Sequence, residues 1–258
     1  RIQRSYTDRV RRTVMPVVCQ TIGDLTHGTG QAPDLNFDEL ERIGVVPHHN
    51  RRRIDDVFQG RHRATGFTMA DVRLRRERWI GKRRSHTVFR GLIFAIEVPR
   101  ATPARILIAR DGGLIGNSLK GWLNSFGGMQ QVALPHHAFE ASFELYADRP
   151  DLAREIVTRG FCDNLVALAE AHDGAAFQAA FADRRFFLAM PKRADPFRIG
   201  SLFRSTDALK GEVAHLLQDV RIVHRLIDHL HGDRPPLELE AGAVTRAQPA
   251  TPSPVQRC

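Results

Sequence analysis

The chain has 258 residues, 42% of them hydrophobic, which is enough for a sizeable core in one large domain or two small ones. Its formal charge is +9, nearly all from arginine, with lysine only at 82, 120, 192 and 210. That excess suits a polyanion such as nucleic acid or anionic lipid, and equally a GC-rich codon bias. No apolar run reaches the roughly 18 residues of a membrane span, and no secretory leader is visible.

Residues 4–22 read as a helix: Tyr6, Val10, Val14, Val17 and Val18 recur at helical spacing between arginines, with Pro16 as a kink. Gly23 to Asn36 is rich in turn residues. Phe37 to Gly44 predicts a short helix stopped by glycine, and His48 to Arg53 a polar, basic connector. Asp55 to Gly60 is a short strand. Phe67 and Met69 share one parity and Val72 and Leu74 the other, which predicts a bulge near Ala70 and Asp71. Thr87 to Val98 is the strongest strand. Val88, Leu92, Phe94, Ile96 and Val98 line one face and Phe89, Ile93 and Ala95 the other, so it belongs at the centre of a sheet covered on both sides. Arg105 to Ala109 reads as a separate strand, and Asp111 to Gly128 as a glycine-rich loop.

Val132 to Glu170 carries the sharpest pattern. Phe139, Ala141, Phe143 and Leu145 alternate with polar residues, predicting a strand with one wet face. Asp148 is placed to cap a following helix whose first turn holds Pro150 and Asp151. Leu152, Ile156, Phe161, Leu165 and Leu168 form its buried stripe, and Gly160 allows two consecutive helices. Phe177 to Met190 predicts a hairpin turning at Asp183 and Arg184. Val213, Leu216, Leu217, Val220, Val223, Leu226, Ile227 and Leu230 keep one face of a last helix, near 208–231, which Gly232 and Pro235 end. The proline-rich remainder predicts disorder. The sum is a single α+β domain over residues 1–235: a mainly antiparallel sheet packed by two longer helices, with an N-terminal helix and a disordered tail at 236–258.

Three segments carry a resemblance: VFRGLIF at 88–94, FEASFELYADRPDLAREIVTRGFCDNLVAL at 139–168 and FADRRFFLAMPKRADPF at 181–197. With Asp56, Gly60, Gly66 and Phe67 as an early strand pair, the chain resembles the bacterial family called domain of unknown function 3137. The resemblance implies a membrane-associated protein with one or two hydrophobic helices ahead of this region, and so a place at the cytoplasmic face of the bacterial inner membrane. It brings no established activity and no catalytic residue.

The densest basic run, RLRRERWIGKRR at 73–84, lies between two predicted strands and reads as a hairpin tip. Arg73, Arg75, Arg76, Arg78, Lys82, Arg83 and Arg84 supply charge around Trp79, a combination suited to a lipid headgroup interface or a nucleic-acid backbone. A solvated loop is the plain alternative. Arg1, Arg4, Arg9, Arg11 and Arg12 would suit the cytoplasmic side of an upstream anchor. No recognised DNA- or RNA-binding pattern accompanies the charge, which favours lipid over nucleic acid.

Other chemistry is weaker. The adjacent pairs His48–His49 and His136–His137 point apart if they lie on strands, and His224, Asp228 and His231 share a helix face without a third element to complete a metal site. Surface histidines are the default reading. The loop at 109–121 lacks the glycine, lysine, hydroxyl order of a phosphate loop. Cys19, Cys162 and Cys258 cannot all pair, and Cys19 and Cys162 fall on apolar stretches, which fits inert packing in a reducing compartment. Glu140 and Glu144 could do acid–base work, but a pair on an exposed strand is usually just its polar face.

These residues assign no catalytic group, metal set or cofactor. They favour a non-catalytic domain that binds a partner protein or an anionic membrane surface. An enzyme with a site lined by His136, His137, Glu140, Glu144 and Tyr146 and a nucleic-acid binder using the basic run stay open as alternatives.

Overall fold

The computed structural model describes residues 19–20, 25–110, 128–172, 177–191 and 206–230. The expected loop at 111–127, the tail and all of the N-terminal helix but Cys19 and Gln20, which are helical, lie outside the described residues. Among the described residues, seven strands form one sheet: β1 (Leu25–Gly28), β2 (Arg51–His62), β3 (Thr65–Ile80), β4 (Lys82–Arg110), β5 (Gln130–Gln131), β6 (Phe143–Ala147) and β7 (Gln178–Pro191). Their order is β1-β2-β3-β4-β6-β5, with β7 also on β4, and every pairing is antiparallel. Beyond the helical pair Cys19 and Gln20, five helices accompany it among the described residues: α1 (Phe37–Arg42), α2 (His137–Glu140), α3 (Pro150–Ile156), α4 (Arg159–Ala171) and α5 (Thr206–Leu230). The α+β architecture with an antiparallel sheet is the expected one.

The strand read over Thr87–Val98 is the middle of β4. One edge of β4 pairs with β3 and then β6; the other pairs with β7. Apolar residues on both parities serve two cores. Leu92, Phe94 and Ile96 join Phe67, Met69, Phe161, Leu165, Val223 and Ile227 on the face covered by α4 and α5. Phe89, Ile93 and Ala95 join Phe37, Leu40, Val45, Val72 and Leu74 on the face covered by α1 and the turn after it. Each Val, Leu, Ile, Phe or Met side chain so withdrawn from water contributes roughly 1.5–3 kcal/mol of transfer free energy. Val88 departs from its expected face: it is an extra residue at the shift between Leu74 and Arg75, and it packs with Phe89's core. Arg105 to Ala109 is the far end of the same strand, past irregular pairing on either side of Thr102 and past Pro99 and Pro103.

The helix ends follow local chemistry. Asn36 caps α1 by accepting from the Glu39 N–H at 3.2 Å, and Gly44, at φ +82°, closes it in the left-handed conformation. Thr158 starts α4 by accepting from the Phe161 N–H, which divides α3 from α4 as Gly160 suggested.

Several local expectations are corrected. Arg51 to Arg53 belong to β2 rather than a connector. The bulge is in β2, where Asp55 and Asp56 oppose Asp71; β3 stays regular, and its parity changes because Met69 and Val72 serve different cores. Phe139 is in the helical turn α2 and not a strand. The His136 ring accepts from its N–H at 3.1 Å, and Phe139 and Phe143 meet at 5.3 Å between ring centres. Four-residue spacing matches strand alternation at these two positions, and β6 is buried on both faces rather than wet on one, apart from the half-buried Glu144. Residues 178–191 form one strand and not a hairpin. Asp183 takes φ +52°, and the chain continues so that Phe181 and Phe186, five apart, reach the same core.

Candidate functional site

The basic run is strand, not loop. β3 and β4 pair from Phe67↔Ile96 out to Ile80↔Lys82, leaving Gly81, at φ +64°, as the turn. β2 follows β3 only to Arg51↔Arg75, and β7 follows β4 only to Gly91↔Pro191. Asn50 finishes the β2 edge with its side chain, which accepts from the Glu77 N–H and donates to the Glu77 carbonyl, both at 2.8 Å. Among the described residues, the segment from Arg78 to Arg84 therefore projects as a two-stranded ribbon.

Strand alternation divides the candidates between two faces. Arg73, Arg75 and Trp79 lie on one; Arg76 and Arg78 lie on the other, with Arg84 directly opposite Arg78. Register places Lys82 beside Ile80 and Arg83 beside Trp79. Trp79 is 79% exposed. Arg75, Arg78 and Arg84 are exposed; Arg73 and Arg76 are half-buried. None of these five arginines makes an ion pair among the described residues, and the buried Nε of Arg73 finds no acceptor there.

Pairing adds residues that sequence spacing could not supply. Arg53, Arg73 and Arg90 stand side by side on three strands, with Arg51 beside Arg75 in the next row. Arg53 is matched by Asp55, and Arg51 Nε lies 3.0 Å from Glu77 Oε2. Like charges placed opposite each other on neighbouring strands disfavour the pairing. The triplet RRR at 51–53 was the available signal, but which strand it joins depends on register.

Four of the five residues considered for catalysis have structural partners, and the fifth, His137, is exposed. His136 Nε2 lies 2.7 Å from Asp163, Glu140 accepts from the Leu134 N–H at 2.9 Å, and Tyr146 donates to Glu144 at 3.0 Å. A small polar cleft of about 160 Å³ lies elsewhere, between Asp34, Gln59, Arg61, Glu97 and Arg185, and includes none of them. Among the described residues most histidines are not superficial: the His27 side chain is 3% exposed and pairs with the fully buried Asp56 at 2.9 Å. His48 and His49 sit in a turn rather than a strand, which lets both converge on Glu41. Among the described residues no three His, Cys, Asp or Glu side chains gather as metal ligands. Cys19 and Cys162 are both buried, and burial pushes both thiols up.

The family described as "Protein of unknown function (DUF3137)" matches residues 87–231, more than half of the chain. The chain belongs to that family. The DUF3137 match takes in most of β4 and everything from β5 to α5. It begins beyond Arg84, so the basic run lies outside it. No curated protein matches the chain in sequence. Among solved structures, it is similar to the crystal structure of the mycobacterial trehalose monomycolate transport factor A, TtfA. Identity is 14%, 90% of this chain and 98% of that one are covered, and the TM-score is 0.41, too distant a likeness to carry fold or function across. No helix among the described residues is long and apolar enough to cross a membrane.

Proposed function

We propose that this chain is a non-catalytic, membrane-surface domain, held at the cytoplasmic face of a bacterial inner membrane, with the β3–β4 ribbon as its contact. The observation that carries the reading is Trp79, 79% exposed at the end of a projecting ribbon whose flanking arginines have no ion pairs among the described residues. A tryptophan in that setting suits the headgroup level, where its ring is apolar and its N–H meets water. The arginines supply attraction. Their division between two faces suits a ribbon that enters the headgroup layer end-on, so that both faces meet phosphate. DUF3137 membership supports the membrane placement; the contact residues rest on geometry and charge alone.

Co-sedimentation with neutral and anionic vesicles tests this. Each basic residue near an anionic leaflet contributes on the order of 1 kcal/mol, so Arg78→Ser with Arg84→Ser should weaken partitioning by roughly 25-fold. Trp79→Ala should weaken it further. Equal binding to neutral and anionic vesicles would exclude the lipid reading. Ribbon-dependent binding to a protein in the absence of vesicles would replace it with a partner-protein role.

A further inference from the structure

The β2–β3 turn is tied to the C-terminal helix by a small polar cluster. Arg63 and Ala64 form the turn at φ +48° and +66°, with His62 paired to Thr65 across it. Two successive left-handed residues make the tight hairpin turn that Asn-Gly fills best; arginine and alanine hold it under strain. Arg61 donates to the Ala64 carbonyl at 2.6 Å, and α5 supplies the other support. The buried carboxylate of Asp228 lies 2.7 Å from His62 Nε2 and 2.9 Å from Arg63 Nε. One helical turn earlier, His224 lies flat on His62, with ring centres 4.0 Å apart and planes 9° from parallel. Phe67 closes the His224 ring edge at 6.0 Å.

Among the described residues, the charged groups around this stack are few. His62 and Arg63 face it from the turn and Asp228 from α5, while the neighbouring Arg221 and Arg225 are exposed. A first proton on the imidazole pair would share the Asp228 carboxylate with Arg63. A second would set two imidazolium rings face to face across 4.0 Å, with Asp228 already serving both His62 and Arg63. We propose that His62 and His224 form a proton-operated latch, in which double protonation loosens the C-terminal half of α5 from the β2–β3 turn.

Burial first, and the His62 charge second, hold His224 below its ordinary 6.5, with Asp228 acting in the opposite direction. The released helix therefore binds the proton more readily than the docked one. Docking is fully favoured above 6.5 and weakens as pH falls from there toward the docked value. Val220, Val223, Leu226 and Ile227, which α5 presses into the core, would become accessible on release.

Amide hydrogen exchange on the full chain tests the latch at about pH 7.5 and about pH 5.5, with intrinsic rates corrected. Residues 220–228 should lose protection severalfold at the lower pH while 92–96 in β4 keep theirs. His224→Gln should abolish the difference. His224→Phe keeps an aromatic ring on His62 without a proton site and should do the same. In the wild type the loss should share its midpoint with the His224 ring-proton titration. Protection at 220–228 that ignores pH, a loss that persists in both variants, or a midpoint that follows another group would each overturn the latch.

Discussion

Asp148 grips Arg105 at two points: Oδ1 accepts from the backbone N–H at 2.8 Å and Oδ2 from the guanidinium Nε at 2.9 Å. The contact pins the turn after β6 to β4, and α3 begins without a side-chain cap at Arg149. Asp148→Ala should therefore cost about 1–2 kcal/mol through an unpaired backbone N–H and a lost charged contact. Urea unfolding should show the loss while the far-ultraviolet helix signal at zero denaturant stays the same. A frayed α3 at unchanged strand protection would mean that Asp148 acts as a cap after all.

Asp148 also shows how local pattern misleads. Asp-Arg-Pro-Asp before an apolar stripe fits a cap, and only the return of β4 beside it reveals a stronger claimant for the carboxylate. Phe139 and Phe143 suit either a strand or a helical turn, and the His136 ring decides between them. Thr87 to Val98 was legible because apolar residues on both parities leave few alternatives to a central strand. The clustering of charge around Trp79 was legible too, since it is contiguous. Its division between two ribbon faces, and the arrival of Arg53 and Arg90 beside Arg73, depend on register between strands some 20 residues apart in sequence. No local window contains that information.

Arg78 and Arg84 face each other across the ribbon without an acid between them. Arg84→Glu converts a like-charge pair into an opposite one and should stabilise the fold by about 0.2–1 kcal/mol. The same change should weaken sedimentation with anionic vesicles. Opposite signs in the two measurements separate a residue kept for contact from one kept for folding. If stability and vesicle binding fall together, the arginine supports the hairpin itself.

Burial is the main cause that pushes the Cys162 thiol up to about 12 from 9.0, with the charges of Asp163 and Glu140 adding to it. The folded state therefore holds this proton longer than the unfolded chain. Its contribution to stability is complete below pH 9 and is lost as pH rises from there toward 12. Cys162→Ala should flatten the alkaline loss of stability while costing some packing throughout. In the native protein at about pH 8, Cys162 should resist alkylation and should label once urea unfolds the chain. Rapid native labelling, mapped by mass spectrometry, would show that the α4 core opens far more often than its packing implies.

Asp183 provides a test whose sign depends on the backbone. An ordinary strand position favours valine over aspartate by up to about 1 kcal/mol. At φ +52° the same valine would press its branched Cβ against the backbone, so Asp183→Val should instead cost about 1–2 kcal/mol. Asp183→Asn and Asp183→Gly should stay within about 0.5 kcal/mol of the wild type, because asparagine tolerates this conformation and the relief glycine brings is offset by its greater freedom when unfolded. The position matters because the parity change brings both Phe181 and Phe186 against Phe161, at 5.4 and 5.5 Å between ring centres. A strand without it would turn one of the two rings to the opposite core. Thermal unfolding of the three variants decides the matter: a stabilising valine would place 178–191 in a regular strand and reassign one of those two rings.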